Sequence, residues 1–286
     1  MALVLFGFTA VQSKKGREQY AIQMQRDSIE RVEAARLAAL SEEDGIAVSG
    51  GAQESASPEQ KRKIYKDAAL DGARSAEEQI LYLSNDVLEV AFNTRGAQPY
   101  SARVKNYFNY DSTDLYIFRP SENEYTLSVY AGEYINTGDF VFDVAEHSDS
   151  EVAMRLYFSN GGYIEQRYTL EPDSYMVHNT VGFVGVNIPR NVGSLDMDVR
   201  TVIPRMEKGY KNELQYSKVD LYFDGDKKPE EMGRGRSASK KTDANLSWFA
   251  FQQQFFSAIV YCPDKFASGK ISVDYAKEDD PQRRLM

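Results

Sequence analysis

"WFAFQQQFFSAIVYC", Trp248 to Cys262, holds the only tryptophan and the only cysteine of the chain, and three consecutive glutamines split its aromatic run. A membrane helix disfavours the amides, and a surface loop disfavours the aromatics. Read with period two, Phe249, Phe251, Phe255, Ile259 and Tyr261 share a face with Gln253 and Ser257. Trp248, Ala250, Phe256, Ala258 and Val260 share the other with Gln252 and Gln254. Both faces are largely apolar, which predicts a central strand covered on both sides. Buried amides without partners are costly, so the glutamines are expected to find side-chain hydrogen bonds or to mark a bulge. The alternative is a polar substrate groove lined by them.

Working outward, the same texture extends back to Ile80. "ILYLSNDVLEVAFNTRGAQPYSARVKNY", Ile80 to Tyr107, alternates apolar with polar residues around Val87, Val90 and Phe92 and turns at Asn93 to Gly96. Short alternating segments then recur: "LYIFR", "YTLSVYA", "FVFDVAE", "EVAMRLYFS", "YIEQRYTLE", "YMVHNTVGFVGV", "LDMDVRTVI", "VDLYFDG" and "ISVDYAK". Turn signals separate them at Pro120–Asn123, Asn136–Asp139, Ser159–Gly162, Glu171–Asp173, Asn187–Arg190 and Asp224–Asp226. Asn160-Gly161 is a strong hairpin signal. Many strands at hairpin spacing predict an antiparallel sandwich or barrel. "PRMEKGYKNE" reads as a turn or short helix at one end. "DGDKKPEEMGRGRSASKKTD", residues 224–243, reads as a charged loop, either a flexible insertion or a partner-binding loop. Arg234 and Arg236 lack a phosphate-cradle context.

The chain has 286 residues with 19 tyrosines and 15 phenylalanines, enough aromatic mass for a sizeable core. A formal charge of −9 argues against a broad nucleic-acid face. One cysteine excludes an intramolecular disulfide and a cysteine-ligated metal cluster, and two histidines leave little for a histidine site. Cys262, beside Val260 and Tyr261, reads as a buried, inert thiol.

The first 78 residues differ. "ALVLFGFTAV", Ala2 to Val11, is almost wholly apolar, about half of the roughly 20 residues a spanning helix needs. It is read either as the trailing part of a membrane anchor or as a short buried or interfacial segment. Lys14, Lys15 and Arg17 follow, but orientation stays open on physics alone. Residues 14–43 read as a mostly solvated helix with a thin stripe (Ile22, Ile29, Val32, Leu37, Leu40), a stalk or a short coiled coil. Residues 44–60 read as a flexible linker. Ser57-Pro58-Glu59 predicts the start of a second polar helix reaching about Glu78, weakened by Gly72. The expected organisation is residues 1–12 as anchor remnant, 13–78 as helical and flexible spacer, and 79–286 as a β domain, whose last strands the resemblance described next implies to be incomplete.

Two motifs together are specific. "YLSNDVLEVAFNTRGAQPYSARVKNY" and "WFAFQQQFFSAIV" resemble the large periplasmic domain of the bacterial membrane protein insertase family YidC, notably from Bacteroidetes-like lineages. The matching positions run from Asn85 to Tyr107 and from Trp248 to Ile259. The resemblance implies a mainly β fold, an antiparallel β-supersandwich similar to galactose mutarotase and preceded by a helical spacer. It implies a place at the inner membrane with the domain facing the periplasm. It further implies nascent inner-membrane proteins as partners, with the Sec translocon, and SecF through an edge of the sandwich, as a second contact. The groove that receives incoming segments in that family belongs to five membrane helices that have no counterpart here, so no groove residue is assigned.

No catalytic, cofactor or metal residue is expected. A mutarotase-like enzyme would need an acid and a base across a sugar ring, and the candidates are His147, His178, Glu146 and Glu165. His147 lies in the polar "AEHSDSE" and His178 in the strand-like "YMVHNTV", neither within a sugar-site pattern. A tethered scaffold or adhesion module fits the spacer and sandwich without the motifs.

Overall fold

The computed structural model describes residues 65–120, 122–186, 188, 195–242 and 245–275, together with the backbone of residues 2–9. The proposed stalk, the linker and Ser57 lie outside the described residues. Among the described residues, eighteen strands, two short α-helices and one 3-10 helix (Thr137–Asp139) follow one another in chain order. A nine-stranded sheet runs in the order β14 (Glu230–Met232), β13 (Lys218–Phe223), β16 (Leu246–Gln252), β17 (Phe256–Phe266), β1 (Ala2–Thr9), β11 (Met176–Val184), β10 (Tyr163–Leu170), β9 (Glu151–Tyr157) and β8 (Asp143–His147). A four-stranded sheet is formed by β2 (Ile80–Ser84), β3 (Leu88–Asn93), β4 (Gln98–Phe108) and β5 (Asp114–Phe118). A three-stranded sheet is formed by β12 (Asp196–Thr201), β6 (Asn123–Tyr130) and β7 (Tyr134–Asn136). The pair β15 (Ala238–Thr242) and β18 (Gly269–Val273) completes the set. The chain is mainly antiparallel β, as the alternation predicts; among the described residues only β1 pairs in parallel, with β11 and with β17.

The layers meet through the inward halves of the alternating strands. In β10 the burial pattern is strictly alternate, and Ile164, Gln166, Tyr168 and Leu170 are the buried set. Ile164, Tyr168 and Leu170 pack with Val90, Phe92 and Val104 of the smaller sheet in one continuous core. The rings of Phe92 and Tyr168 lie 4.4 Å apart. A second core under β15 and β18 gathers Val219, Leu221, Leu246, Phe249 and Val273. The hairpin at Asn160-Gly161 forms as expected between β9 and β10, with Gly161 at φ +81°.

The "NTRGA" turn shows how a loop is locked to the opposite sheet. Asn93 Oδ1 accepts from the amide of Arg95 at 2.8 Å, and Gly96 takes φ +76°. Gln166 Nε2 donates to the carbonyl of Gly96 at 2.9 Å. The Tyr168 hydroxyl lies 2.8 Å from the carbonyl of Ala97 and 2.9 Å from Gln166 Oε1. A hydroxyl has one hydrogen, so Tyr168 shares it between these acceptors.

Three sequence expectations are corrected here. The stretch Trp248–Cys262 is two antiparallel core strands, β16 and β17, joined by a tight turn at Gln253–Phe255, with Gln252 opposite Ser257. Gln253 closes the turn through its amide to the carbonyl of Phe256 at 2.9 Å. Its Nε2 donates to the carbonyl of Pro204 at 2.9 Å, and Gln254 Oε1 accepts from Asn212 Nδ2 at 3.1 Å. The glutamines therefore staple the turn to a neighbouring loop. Two buried strands in succession present apolar residues at both parities, and without Gly or Pro between them they mimic one strand.

Residues 224–243 are not a free loop. β14 pairs with β13, with Val219 opposite Met232, and β15 pairs with β18. Met232 is buried, and Glu231 bridges Lys218 at 2.6 Å. The glycines and lysines hide a hairpin-like crossing because few of its side chains are apolar.

The helix before the sandwich, α1 (Ala68–Ser75), is shorter than expected and is capped by Asp67, which accepts from the amide of Ala69 at 3.0 Å. Asp67 Oδ1 also accepts from the Ser159 hydroxyl at 2.7 Å. Leu70 is fully buried and Tyr65 nearly so, with its hydroxyl 2.6 Å from Asp139 Oδ2. Tyr65 and Leu70 thus join the main core cluster. A single buried leucine gives too thin a stripe for sequence periodicity to detect.

At the opposite end, "PRMEKGYKNE" contains α2 (Tyr210–Tyr216), as read. Glu213 is 4% exposed and accepts from the amides of Met206 at 2.9 Å and Glu207 at 3.3 Å. Burial, outweighing these donors, raises its pKa above the ordinary 4.5. The protonated form is thus favoured by folding. Its stabilising contribution is full below the unfolded value and is lost as pH rises through the folded one. Glu213→Gln is expected to remove this component. Urea denaturation between pH 4 and 8 should show the wild type losing stability relative to the variant as pH rises, and parallel profiles would refute it.

Candidate functional site

Between the large sheet and the β6–β12 face lies a small, partly open apolar cleft. Asn179 of β11 and Ala258 and Val260 of β17 form one wall, and Tyr125, Met197 and Val199 form part of the other. The wall residues on β6 arise from strict alternation, which buries Tyr125, Leu127 and Val129 together. Polar groups at the cleft are few and mostly paired. The Tyr125 hydroxyl donates to Asn179 Oδ1 at 3.2 Å, and Asn179 Nδ2 reaches the carbonyl of Arg167 at 3.4 Å. Thr201 Oγ1 is buried without a hydrogen-bond partner.

The cleft is lined mainly by apolar side chains. Its titratable groups are Tyr125 and Tyr168, and burial pushes both phenols well above their ordinary range. Held neutral, they donate hydrogen bonds and cannot serve as bases at physiological pH. Among the described residues, no carboxylate or imidazole lines the cleft. Among the described residues, no group of three or more His, Cys, Asp or Glu is placed to hold a metal ion. Cys262 is buried, and burial raises its thiol pKa, in keeping with an inert group.

The sequence-derived candidates lie elsewhere and apart. His147 is exposed on β8, its Nε2 3.1 Å from the carbonyl of Tyr82. His178 is half-exposed, its Nε2 3.5 Å from Glu171 Oε1. His147 is registered with Val152, Val152 with Tyr168 and Tyr168 with Asn179, the neighbour of His178. Three strand spacings, about 14 Å, separate the two backbone positions, and each imidazole is engaged with a different partner, Tyr82 and Glu171. Glu146 and Glu165 are drawn into an ion network on the outer face of the sheet. Arg167 lies 2.6 Å from Glu146 and 3.1 Å from Glu165, and also pairs with Glu151. Arg155 is 2.7 Å from Glu165. The Arg167 hydrogen bond and charge hold the Glu146 carboxyl below its ordinary pKa.

Sequence reading missed Tyr125, Gln166, Tyr168 and Asn179. They come from three different strands, so no spacing connects them; the available signal was polar residues at the inward parity of otherwise apolar strands.

Among known proteins, residues 81–281 match the family model of the YidC periplasmic domain. The chain is 29% identical to the membrane protein insertase YidC of Porphyromonas gingivalis over 95% of this chain and 44% of that protein. It is 27% identical to the protein of the same name from Phocaeicola vulgatus, over 94% of this chain and 42% of the relative. The chain thus spans less than half the length of these curated relatives. A solved galactose mutarotase-like protein from Lactobacillus casei superposes with a TM-score of 0.45 at 12% identity, covering 72% of this chain and 86% of that one.

Proposed function

Because the chain belongs to the YidC periplasmic domain family, we propose that it forms the extracytoplasmic part of an inner-membrane protein insertase and chaperone. The observation that carries this reading is the family match across residues 81–281. On this reading the domain faces the periplasm and offers docking surface beside the bilayer. Nascent inner-membrane proteins are its clients, and components of the Sec translocon such as SecF are partners at a sandwich edge. Residues 1–12 act as the trailing part of a membrane anchor, and the residues between them and the packed domain act as a tether. No described helix is long and apolar enough to cross a membrane, so this role rests on the apolar run Ala2–Val11 and on the family.

The domain acts by binding, without chemistry of its own. The apolar cleft, its neutral phenols and the separated histidines support that view. Depleting the full-length protein in its native host is expected to leave small inner-membrane proteins accessible to protease and uninserted. Normal insertion after depletion would overturn the proposal. The purified chain should show no aldose mutarotation; turnover abolished by His178→Ala would revive an enzymatic reading.

A further inference from the structure

Asn160-Gly161 is the one Asn-Gly pair of the chain, and both residues are exposed at the tip of the β9–β10 hairpin. Such a pair carries its own chemistry. The backbone nitrogen of the glycine can attack the asparagine Cγ, and a residue without a Cβ leaves that approach unhindered. A C–N bond forms and the Cγ–Nδ2 bond breaks. The side-chain nitrogen departs as ammonia, taking up the proton that the glycine amide gives up. Water then opens the five-membered imide on either side, leaving aspartate or isoaspartate. The step needs no oxidant and no cofactor.

Burial does not protect this asparagine, so its fate depends on hydrogen bonds. The Gly161 amide, the nucleophile, donates to the carbonyl of Phe158 at 2.9 Å. Deprotonated for attack, that nitrogen would face a carbonyl oxygen as a negative charge. Both ends of the side-chain amide are held as well. Asn160 Oδ1 accepts from the Gly162 amide at 2.8 Å, and Nδ2 donates to the carbonyl of Gly185 at 3.0 Å. Gly185 follows the last residue of β11, and the two backbones touch there. A Cβ on Gly162 would lie 2.6 Å from the Gly185 oxygen. On the other side of the tip, the Ser159 amide and hydroxyl donate to the Asp67 carboxylate at 3.1 and 2.7 Å. The tip is clamped between β11 and the N-terminus of α1.

We infer that Asn160 is a deamidation site gated by the hairpin tip. It is inert while the tip is clamped against Gly185 and Asp67, and it reacts once the tip lifts. Aspartate at this position sets an acceptor against the Gly185 carbonyl in place of the Nδ2 donor. Isoaspartate adds a carbon to the main chain of a tight turn. Either product keeps the tip from closing in its original geometry, so the modification records which copies have opened.

The 1–286 chain is incubated at mildly alkaline pH with and without denaturing urea, and the tryptic peptide Leu156–Arg167 is followed by mass spectrometry. Deamidation of Asn160 is expected to be at least about tenfold slower in the folded chain, a ratio that a local opening free energy of about 1.4 kcal/mol supplies. Equal rates, or an unreactive Asn160 in urea, would overturn the gate. Gly161→Ala should slow the reaction in urea; an unchanged rate would show that the nitrogen of residue 161 is not the attacking atom and would overturn the chemistry. Asp67→Ala removes one clamp and should speed the reaction of the folded chain at least about threefold, the effect of losing one modest hydrogen bond. Ser159→Ala leaves the α1 cap in place and should move the rate in the same direction. Cooperative thermal unfolding of each variant, followed by circular dichroism, shows that the change arises in folded protein. Unchanged rates in Ser159→Ala and Asp67→Ala would overturn gating by the tip.

Discussion

Phe92→Ala is expected to cost about 4 kcal/mol of stability, the middle of the usual range for emptying a buried aromatic site. Phe92 is fully buried on β3 and packs against Tyr168 of the opposite sheet. Tyr168 in turn holds the carbonyl of Ala97. Removing the ring opens a void at the point where the two layers and the "NTRGA" turn meet. Neighbouring strands are fixed on both sides by their ladders, so collapse into the void is limited. For a domain of this size, the loss should lower Tm by about 8–16 °C. Calorimetry of the wild type and the variant checks it, with urea unfolding as a second readout. A shift of a degree or two would show that the layers are not joined through this contact. Phe92→Leu, which keeps most of the volume, should recover the larger part of the loss.

Leu70→Ala is expected to cost about 3 kcal/mol. In a solvated spacer the same change would fall within about 0.5 kcal/mol, as exposed substitutions do. The difference tests where the domain starts. Leu70 is the one fully buried residue of α1 and belongs to the main core cluster. The helix is pinned by Asp67, whose carboxylate caps it and also accepts from the Ser159 amide and hydroxyl beyond the β9 strand. Chemical denaturation of the two proteins separates the outcomes. A neutral substitution would return residues 65–78 to the tether.

These residues also mark where sequence reading reaches its limit. Strands β9, β10 and β6 were legible because one face meets the core and the other meets water, and alternation records that difference directly. Gly161 announced its hairpin because the turn needs a left-handed residue. The turn at Gln253 carried no such signal: its backbone bond to Phe256 and its side-chain bond to Pro204 replace the usual Gly or Asn chemistry. β14 and β15 escaped notice because edge positions tolerate Glu, Lys and Gly, and only Met232 among them is a large buried side chain. The buried polar set of Tyr125, Gln166, Tyr168 and Asn179 was illegible for another reason. Its members are partners through tertiary placement, across sequence separations that no local pattern encodes. Family resemblance reached the fold through two motifs, and in one of them, "NTRGA", Gln166 and Tyr168 hold the carbonyls of Gly96 and Ala97.

The lateral boundaries of the large sheet have a consequence for neighbouring copies. One boundary, β14, is three residues long and bears Glu230 and Glu231; the other, β8, exposes every residue, Asp143 and Glu146 among them. Short, carboxylate-bearing borders make poor templates for intermolecular pairing. Copies at high concentration would therefore meet borders of charged, ion-paired side chains, Glu231 with Lys218 on one and Glu146 with Arg167 on the other, and crowding would not drive them to fuse into a shared β-fibre.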